Sequence, residues 1–574
     1  MINKTSALTR LGAAITAAAL VAPMVTFVAS GSAGATSLQA PASFPRNETL
    51  YTSGTAYSPP TNFNPLDGGS RYTGTIGLLY EPLFLYNPIT NKYIPWLATN
   101  GTWSGSTYTL HVRNGVKWSN GAPLTGADVA FTIGLAKTNP AVPYSSLAPY
   151  IKSVSANGNT VTVNFTSPPP YTDWQDFLWQ NAVLPKVVFS KLSASEQVTS
   201  ANYARGKSPV ATGPMLLVST SQSQACYEDN ANWWGIKQLG LKFHFKYLCD
   251  IVNGSNSVEL SALLSNTIDW SNNFLPGINT LMTTGGDSSF LTTYYPKSPY
   301  MLSANTVWLE MNTTKAPFNN VNFRKAVAYG INTQSIVTGV YDGIVKAANP
   351  VGLLPNLDSY VNRGVVNKYG FHYDPSLAKK YLAKSGYKGQ ALTIEVPNGW
   401  TDWMAAQDII AQDLNSIGVK VNAITPSANA KTQHMINGSY DMMLDNNAQA
   451  DATPWSYFDR VYQLPIQKND GAQLNVERFS DPATWALVQK AATTPTTDKA
   501  ALNSIYSKIE TSFLQRLPEV PLWYNGAWFQ GNTTYWKNYP SSTSSSDQYT
   551  PVMWGNWLGA MTTVYALANL RPAK

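Results

Sequence analysis

Uncharged amide side chains and tryptophans are concentrated in two segments of the C-terminal half. Residues 445–449 read DNNAQ and are followed closely by Trp455, whereas residues 400–403 read WTDW and stand where a loop enters a predicted helix. An amide both donates and accepts hydrogen bonds, as a sugar hydroxyl requires, and an indole ring can cover the apolar face of a sugar ring. The pattern predicts recognition of a neutral, hydroxylated ligand. Any one aromatic side chain taken alone is more typical of a packed core.

Residues that enzymes use for covalent or metal-assisted chemistry do not form a recognisable set. The chain has four histidines: His111, His244, His372 and His434. None stands in an HExxH motif or beside a cysteine, so a zinc hydrolase has no ligands to build on. No GxSxG elbow, Walker loop or GxGxxG motif follows a predicted strand. We therefore predict a non-enzyme without catalytic residues, metal or cofactor.

Composition excludes several classes of protein. The 574 residues are 44% hydrophobic, 12% aromatic and 12% charged, whereas soluble domains average about 25% charged residues. Such a chain can bury ample apolar surface, which excludes disorder, and its length predicts several domains or one multi-lobed body. The net charge of +7 without a Lys/Arg cluster argues against nucleic-acid binding. Because a surface poor in carboxylates changes little in acid, we hypothesise an acidic external habitat.

The N-terminus has the pattern of a secretory signal peptide over residues 1–35. Lys4 and Arg10 precede an apolar run over 11–28, and Ala33-Gly34-Ala35 is an A-x-A cleavage pattern. An uncleaved membrane anchor is the alternative, because the run is close to spanning length. Residues 36–46 are small and polar and indicate a linker. We expect an exported protein, periplasmic or at the extracytoplasmic cell surface, that is not lipid-anchored through cysteine.

The chain has two cysteines, Cys226 and Cys249, both in the exported part. They flank residues 232–235 (NWWG), which read as the connection between two strands. An oxidising compartment permits a disulfide between adjacent antiparallel strands, and we predict one. Two buried free thiols are the alternative.

The secondary-structure pattern changes along the chain. In the first half, 108–113 and 160–165 alternate like half-buried strands, and a helix is predicted over 128–137 with Thr125 as its N-cap. The second half alternates predicted helices with predicted strands: helices over 323–331, 375–385 and 403–417, and strands over 392–396 and 419–424. The order indicates an α/β protein whose first half is richer in strands.

A series of spaced motifs resembles the extracytoplasmic solute-binding proteins of ABC importers, in the family that binds oligopeptides, dipeptides, nickel complexes and some oligosaccharides. The matching segments are 80–84 (YEPLF), 94–98 (IPWLA), 108–129 (YTLHVRNGVKWSNGAPLTGADV), 211–215 (ATGPM), 230–235 (NANWWG), 312–328, 373–380, 414–418 (LNSIG) and 519–522 (EVPL). The order is that of the family, and coverage runs from about residue 50 to about residue 525.

The resemblance implies a periplasmic-binding-protein-like α/β fold of class II, cluster C type. Two α/β lobes would be joined by a hinge, with an extra inserted domain. We assign 47–76 with 205–300 and 518–574 to lobe I, 77–204 to the inserted domain and 301–517 to lobe II. The ligand would be enclosed between the lobes by hinge closure and delivered to an ABC permease and its ATPase subunits. We expect a monomer.

The resemblance also bears on the ligand. Family members hold the α-amino group of a peptide with an acidic residue. An alignment of residues 441–454 to the family's motif without a gap places Ala450 at the position of that acid. A shift of the alignment by one residue places Asp451 there instead. The segment 57–65 resembles the family's first-strand loop at the cleft and has polar Asn62 and Asn64. The predicted ligand-binding residues are Tyr57, Asn62, Asn64, Trp400, Trp403, Asn446, Asn447, Gln449, Asp451 and Trp455.

Three functions follow as hypotheses. The first is capture of an oligosaccharide of the cello- or manno-oligosaccharide type for transmembrane transport, because the amide and aromatic segments are similar to that branch of the family. The second is oligopeptide capture through Asp451 on the same fold. The third is an exported glycan-active enzyme, which product release from oligosaccharides would reveal.

Overall fold

The computed structural model describes residues 44–53, 59–67, 71–199, 208–284, 290–446, 451–466, 474–543, 549 and 561–573. The predicted signal peptide lies outside the described residues, as do most of the predicted linker and the candidates Tyr57, Asn447 and Gln449. Within the described ranges, no helix is both long and apolar enough to cross a bilayer. The same ranges contain no group of three or more His, Cys, Asp or Glu side chains that could hold a metal ion.

The secondary structure alternates short strands with helices along the chain. The strands are β1 Thr49–Ser53, β2 Phe84–Asn87, β3 Lys92–Pro95, β4 Ala98–Ser104, β5 Thr107–Val112, β6 Ile151–Asn157, β7 Thr160–Phe165, β8 Met215–Thr220, β9 Gln224–Asp229, β10 Tyr247–Ile251, β11 Trp270–Ser271, β12 Leu291–Thr292, β13 Ser303–Met311, β14 Lys346–Ala347, β15 Leu392–Glu395, β16 Val421–Ile424, β17 Met442–Asn446, β18 Glu519–Gly526, β19 Gln530–Asn532, β20 Trp536–Lys537 and β21 Arg571–Pro572. The α-helices are α1 Gly126–Thr138, α2 Tyr171–Gln180, α3 Lys186–Phe189, α4 Ala194–Thr199, α5 Trp234–Leu239, α6 Asn256–Leu264, α7 Ile278–Thr284, α8 Val321–Gly330, α9 Thr333–Gly339, α10 Arg363–Tyr369, α11 Pro375–Lys384, α12 Thr401–Ile417, α13 Ala428–Asn437, α14 Trp455–Tyr462, α15 Pro482–Ala492, α16 Lys499–Arg516 and α17 Thr563–Asn569. In the described part of the chain, 3-10 helices lie at Ser145–Leu147 and Pro355–Tyr360.

Among the described residues, three larger sheets organise these elements, and two further sheets have two strands each, β2-β3 and β20-β21. Lobe I surrounds a seven-stranded sheet in the order β12-β19-β11-β1-β10-β9-β8, and lobe II surrounds a six-stranded sheet in the order β14-β18-β13-β17-β15-β16. The inserted domain contains the four-stranded sheet β4-β5-β7-β6 and the helices α1 and α2. The fold is therefore the two-lobed α/β fold that the sequence predicts.

The position of β18 differs from the predicted domain division. The sequence predicts that 518–574 belongs to lobe I, but β18 pairs antiparallel with β13 from Glu519 to Gly526 and so lies in the sheet of lobe II. The chain returns to the sheet of lobe I at β19, which pairs with β11. The local sequence predicts a late strand and does not specify which sheet accepts it. The remaining domain boundaries stay a prediction.

Local patterns account for most individual elements. The predicted strand over 108–113 is β5, whose residues alternate in burial, and the predicted helix over 128–137 is α1 with Thr125 as its N-cap. Asp128 accepts a 3.0 Å hydrogen bond from the backbone N–H of Thr125, as in a capping box. Gly418 ends α12 in the left-handed conformation that favours glycine, with φ of 102°.

Three of the matching motifs meet at one buried carboxylate, that of Glu81. Trp96 and Trp234 each donate an indole N–H to Glu81 at 2.9 Å, and Trp233 donates at 3.1 Å. Burial raises the pKa of Glu81 to about 7, although these hydrogen bonds oppose the shift. The tryptophans of these motifs are therefore packing and hydrogen-bonding elements of the core, and they mark the fold rather than a ligand site.

Cys226 of β9 and Cys249 of β10 are joined by a disulfide. The two residues lie directly opposite each other in the antiparallel pair, with a Cα–Cα distance of 4.1 Å. The intervening segment contains α5, which begins at Trp234. The disulfide thus staples two neighbouring strands of lobe I.

Candidate functional site

The parallel strands of both lobes direct their carboxyl ends toward candidate residues. In lobe I, β1 runs parallel to β10 and β11, and in lobe II, β15 runs parallel to β16 and β17. In open α/β sheets, ligands bind in the crevice outside the carboxyl ends of such strands. The loop before α12 follows β15, and Asn446 is the last residue of β17. We call these two sets of strand ends the carboxyl edge of lobe I and the carboxyl edge of lobe II.

The two carboxyl edges are in direct contact at Asp402. Asn256, the first residue of α6 in lobe I, donates a 2.9 Å hydrogen bond from Nδ2 to Oδ1 of Asp402 in the first turn of α12. Tyr341 of lobe II donates from its hydroxyl to Oδ2 of Asp402 at 2.9 Å. Burial raises the pKa of Asp402 to about 6. The crevice is therefore bridged by a polar contact that uses one residue from each lobe.

A second buried carboxyl, Glu259, organises the carboxyl edge of lobe I. Asn253 donates from Nδ2 to Glu259 at 2.8 Å, and both Ser271 and Asn273 also donate to this carboxyl group. Burial raises the pKa of Glu259 to about 8, against the opposing effect of these hydrogen bonds. Because Ser271 ends β11 and Asn253 follows β10, the network fixes two strand ends relative to α6.

Trp400 and Trp403 lie together at the carboxyl edge of lobe II. Their rings meet edge to face with centroids 4.8 Å apart. Trp403 is buried and its ring lies 6.3 Å from that of Trp523, whereas Trp400 is only partly buried. Trp403 thus supports Trp400 from the core, and Trp400 is the member of the pair with surface available to a ligand.

Two further asparagines, which sequence reasoning missed, share this end of lobe II. Asn305 of β13 is paired with Asn525 of β18, and two residues further along β13, Val307 is paired with Asn446. Side chains two residues apart on a strand lie on the same face, so Asn305, Asn525 and Asn446 share the face of Val307. Asn305 and Asn525 are each 8% exposed, and their Oδ1 atoms accept no hydrogen bond from the described residues.

The sequence holds a weak signal for these two asparagines. Each lies beside an apolar run within its strand, as the strings SANTVWLEM and EVPLWYNG show. A buried polar residue in such a strand needs a hydrogen-bonding partner, which points to a role beyond packing. Their pairing, however, joins positions 220 residues apart and is visible only in the sheet register.

A cavity of about 560 Å³ adjoins the segments that connect the lobes. Its wall includes Tyr295 and Met301 on the segment leading into β13, and Tyr524 and Gly526 at the end of β18. Asn356 also lines the cavity and donates from Nδ2 to the backbone carbonyl of Asp451 at 2.9 Å. The cavity therefore lies beside β13 and β18, the strands that carry Asn305 and Asn525.

Asn62 and Asn64, predicted to bind ligand, are buried and bonded within the protein. Asn62 donates from Nδ2 to Asp67 at 2.7 Å and accepts from the backbone N–H of Asn64 at 2.8 Å. Asn64 donates from Nδ2 to the carbonyl of Gln197 at 2.9 Å, which ties this loop to the inserted domain. These contacts order the loop, and they use amide atoms that the prediction assigned to a ligand.

Asp451 and Trp455 also lie in protein contacts. The carboxyl group of Asp451 is 1% exposed and accepts hydrogen bonds from Ser456 and, at 3.3 Å, from Gln180 of the inserted domain. Burial raises the pKa of Asp451 to about 6. Trp455 packs in the core of lobe II around α14 and α16. The structure thus brings Trp400, Trp403 and Asn446 to one edge, whereas Asp451 and Trp455 are buried in contacts within the protein.

The sequence matches the family model of bacterial extracellular solute-binding proteins, family 5 (middle region), over residues 92–469. Among curated relatives, an oligopeptide-binding protein OppA of Bacillus subtilis is 26% identical over 473 residues, covering 74% of this chain and 78% of the relative. A nickel-binding periplasmic protein of Escherichia coli is 26% identical over 414 residues, covering 69% of this chain and 75% of the relative.

Solved structures show the same architecture. A mannohexaose-bound periplasmic oligopeptide-binding protein of Thermotoga maritima superposes with a TM-score of 0.87 at 35% identity, covering 92% of this chain and 99% of that chain. The Bacillus subtilis oligopeptide-binding protein AppA, in complex with a nonapeptide, superposes with a TM-score of 0.74 at 18% identity, covering 92% and 99%. At that lower identity, the second similarity establishes the fold alone.

Proposed function

The chain belongs to the bacterial extracellular solute-binding proteins of family 5, the substrate-binding components of ABC transporters, and we propose that it captures a neutral oligosaccharide between its two lobes. Its cargo would be handed unaltered to a permease driven by ATPase subunits. The sugar would be of the cello- or manno-oligosaccharide type. The proposed location is the periplasm or the extracytoplasmic surface.

The observation that carries this proposal is the chemistry of the carboxyl edge of lobe II. Asn305, Asn446 and Asn525 offer uncharged donors and acceptors on one face, and the partly exposed Trp400 supplies an aromatic surface nearby. A sugar ring presents hydroxyls at its rim and apolar C–H groups on its faces, which suits amides beside an indole. The 35% identical Thermotoga maritima protein was solved with mannohexaose bound, which supports the same ligand class.

Oligopeptide capture is the second candidate, and the curated relatives named for peptides favour it. The predicted anchor for a peptide α-amino group is Asp451. In this structure its carboxyl group is bonded to Ser456 and Gln180 and has almost no exposed surface. Ionic capture of an amino group through Asp451 would need those contacts to open. The geometry therefore supports the sugar better.

Calorimetry distinguishes the two candidates. We expect saturable binding heat from a cello-, manno- or xylo-oligosaccharide and none from mixed tri- to hexapeptides. Binding heat from the peptides together with none from any of the sugars would overturn the assignment of a sugar ligand. In that case D451N should weaken peptide binding at least tenfold, with D408N on the exposed side of α12 as the matched control. Product release from oligosaccharides over a day tests the enzyme hypothesis, and we expect none.

A further inference from the structure

The inserted domain and lobe II meet through helices that both carry buried acids. Helix α2 of the inserted domain packs against α14 and α15 of lobe II. Asp173 and Asp176 on α2 are 6% and 7% exposed, and Asp459 on α14 and Asp451 just before it are 7% and 1% exposed. Gln180, the last residue of α2, donates to Asp451 across this boundary. We call these four residues the interdomain carboxyl cluster.

The groups that face the cluster are mostly neutral. Ser146 of the neighbouring 3-10 helix donates to Asp173 at 3.2 Å, and Ser456 donates to Asp451. Four tyrosines have an electrostatic environment that includes the cluster, and they come from β2, β3, α16 and a loop: Tyr86, Tyr93, Tyr506 and Tyr150. No ion pair among the described residues involves any of the four carboxyls.

Among the described residues, the cation whose charge acts on the cluster also interacts with acids outside the cluster. Arg460 of α14 acts on Asp459, but the same guanidinium also interacts with Asp445, Glu310 and Glu477 in lobe II. Lys490 of α15, the other helix packed on α2, is exposed. The cluster therefore lacks a dedicated counter-charge in the described part of the chain, and ionising all four carboxyls would place like charges in a buried interface.

Burial and mutual repulsion both favour the protonated carboxyls. Burial raises the pKa of Asp173 to about 7 and that of Asp451 to about 6. The pKa values of Asp176 and Asp459 are raised well above the ordinary range, first by burial and then by repulsion, from Asp451 for Asp176 and from Asp173 for Asp459. The packed interface thus binds protons that the same side chains release when water reaches them.

We propose that the interdomain carboxyl cluster couples closure of the lobes to external pH, so that an acidic medium holds the inserted domain against lobe II and a neutral medium drives them apart. The proposal rests on ligand capture between the lobes, as proposed above, and adds its regulation. Cargo would be bound tightly in acid and loosely near neutrality.

The direction follows from proton linkage. In the separated state the four carboxyls meet water and titrate near the ordinary value of about 4. In the closed state they retain protons to higher pH, so the closed state binds more protons and the closure constant falls as pH rises from about 4 to about 7. Between these pH values, each carboxyl group changes the closure constant by up to about tenfold per pH unit. We expect ligand affinity to be at least tenfold higher at pH 4 than at pH 7.

Asparagine has the shape and neutrality of protonated aspartate, which provides a gain-of-function test. The double variant D173N/D459N should bind the oligosaccharide at pH 7 at least tenfold more tightly than the wild type and should lose much of the pH dependence. D408N, which changes an exposed acid on α12, should behave as the wild type does. Calorimetry at pH 4, 5.5 and 7 gives the affinities.

A ligand-independent readout separates this inference from the choice of cargo. Small-angle X-ray scattering of the ligand-free protein should show a smaller radius of gyration at pH 4 than at pH 7, and D173N/D459N should remain compact at both. A radius that is equal at the two pH values in the wild type overturns the inference, as does an affinity that rises with pH. If no oligosaccharide gives binding heat while the protein still becomes more compact in acid, the proposed ligand class is wrong and the inference about pH stands.

Discussion

The side-chain amide of Asn256 in lobe I lies 2.9 Å from Oδ1 of Asp402 in lobe II and donates a hydrogen bond to it. Asp402 stands one residue before Trp403 and two after Trp400, so the contact lies beside the aromatic pair at the candidate site. Closure of the lobes therefore makes a specific polar contact next to the place where ligand is expected.

Replacing Asn256 by Ala should weaken ligand binding by about 5- to 150-fold. The variant leaves Oδ1 of Asp402 buried without its hydrogen-bond donor, which costs about 1–3 kcal/mol. Because this bond joins the two lobes, its loss destabilises the closed state and so weakens ligand binding. Tyr341→Phe is the matched control, since Tyr341 donates to the same carboxyl from within lobe II. It should lower the melting temperature more than N256A does and change affinity less. Equal affinities for wild type and N256A would contradict this role.

Replacing Asn305 or Asn525 by Ala should reduce oligosaccharide affinity at least tenfold with little change in melting temperature. Their Oδ1 atoms accept no hydrogen bond from the described residues, so the folded protein loses little when they are removed, whereas a bound hydroxyl loses its acceptor. Calorimetry and thermal denaturation measure the two effects. Asn367→Ala, at an exposed position of α10, should change neither quantity. A large drop in melting temperature with intact affinity would assign these asparagines to the fold alone.

Trp400 and Trp455 should respond oppositely to substitution. Trp400→Ala removes a partly exposed ring and should weaken sugar binding by more than tenfold, with a modest effect on stability. Trp455→Phe alters a ring in the core of lobe II and should lower the free energy of unfolding by about 1–3 kcal/mol while affinity is kept. Fluorescence titration and urea denaturation report the two quantities. The assignment of Trp400 to the site fails if W400A binds as the wild type does.

The protein should be more stable in acid than near neutrality. Glu81 and Glu259 are fully buried and have pKa values raised to about 7 and about 8, so the folded state holds protons that the unfolded chain releases above about pH 4. Their contribution is complete below that pH and is lost as pH rises toward 8, which should lower the free energy of unfolding by at least about 2 kcal/mol between pH 5 and pH 8. Urea denaturation followed by circular dichroism at several pH values checks the direction. Unfolding near pH 4 would contradict both this prediction and the acidic-habitat hypothesis.

Short-range patterns in the sequence determined the family, the fold class and most individual elements. The alternation of β5, the cap of α1 and the glycine after α12 each depend on residues within a few positions of one another, so local sequence specifies them. The spaced motifs likewise predict the core, where Glu81 gathers the indoles of Trp96, Trp233 and Trp234.

Only the tertiary structure decided which side chains share a surface. Asn305 meets Asn525 through strand pairing, and Asp176 comes close to Asp451 through helix packing, across separations that no local pattern encodes. The same packing places the side-chain amide of Asn64, which the sequence predicts to bind a ligand, in a hydrogen bond to the carbonyl of Gln197. Residue type states what a side chain can bind, but its actual partner depends on how distant segments pack, because burial and hydrogen bonding are settled by the whole fold.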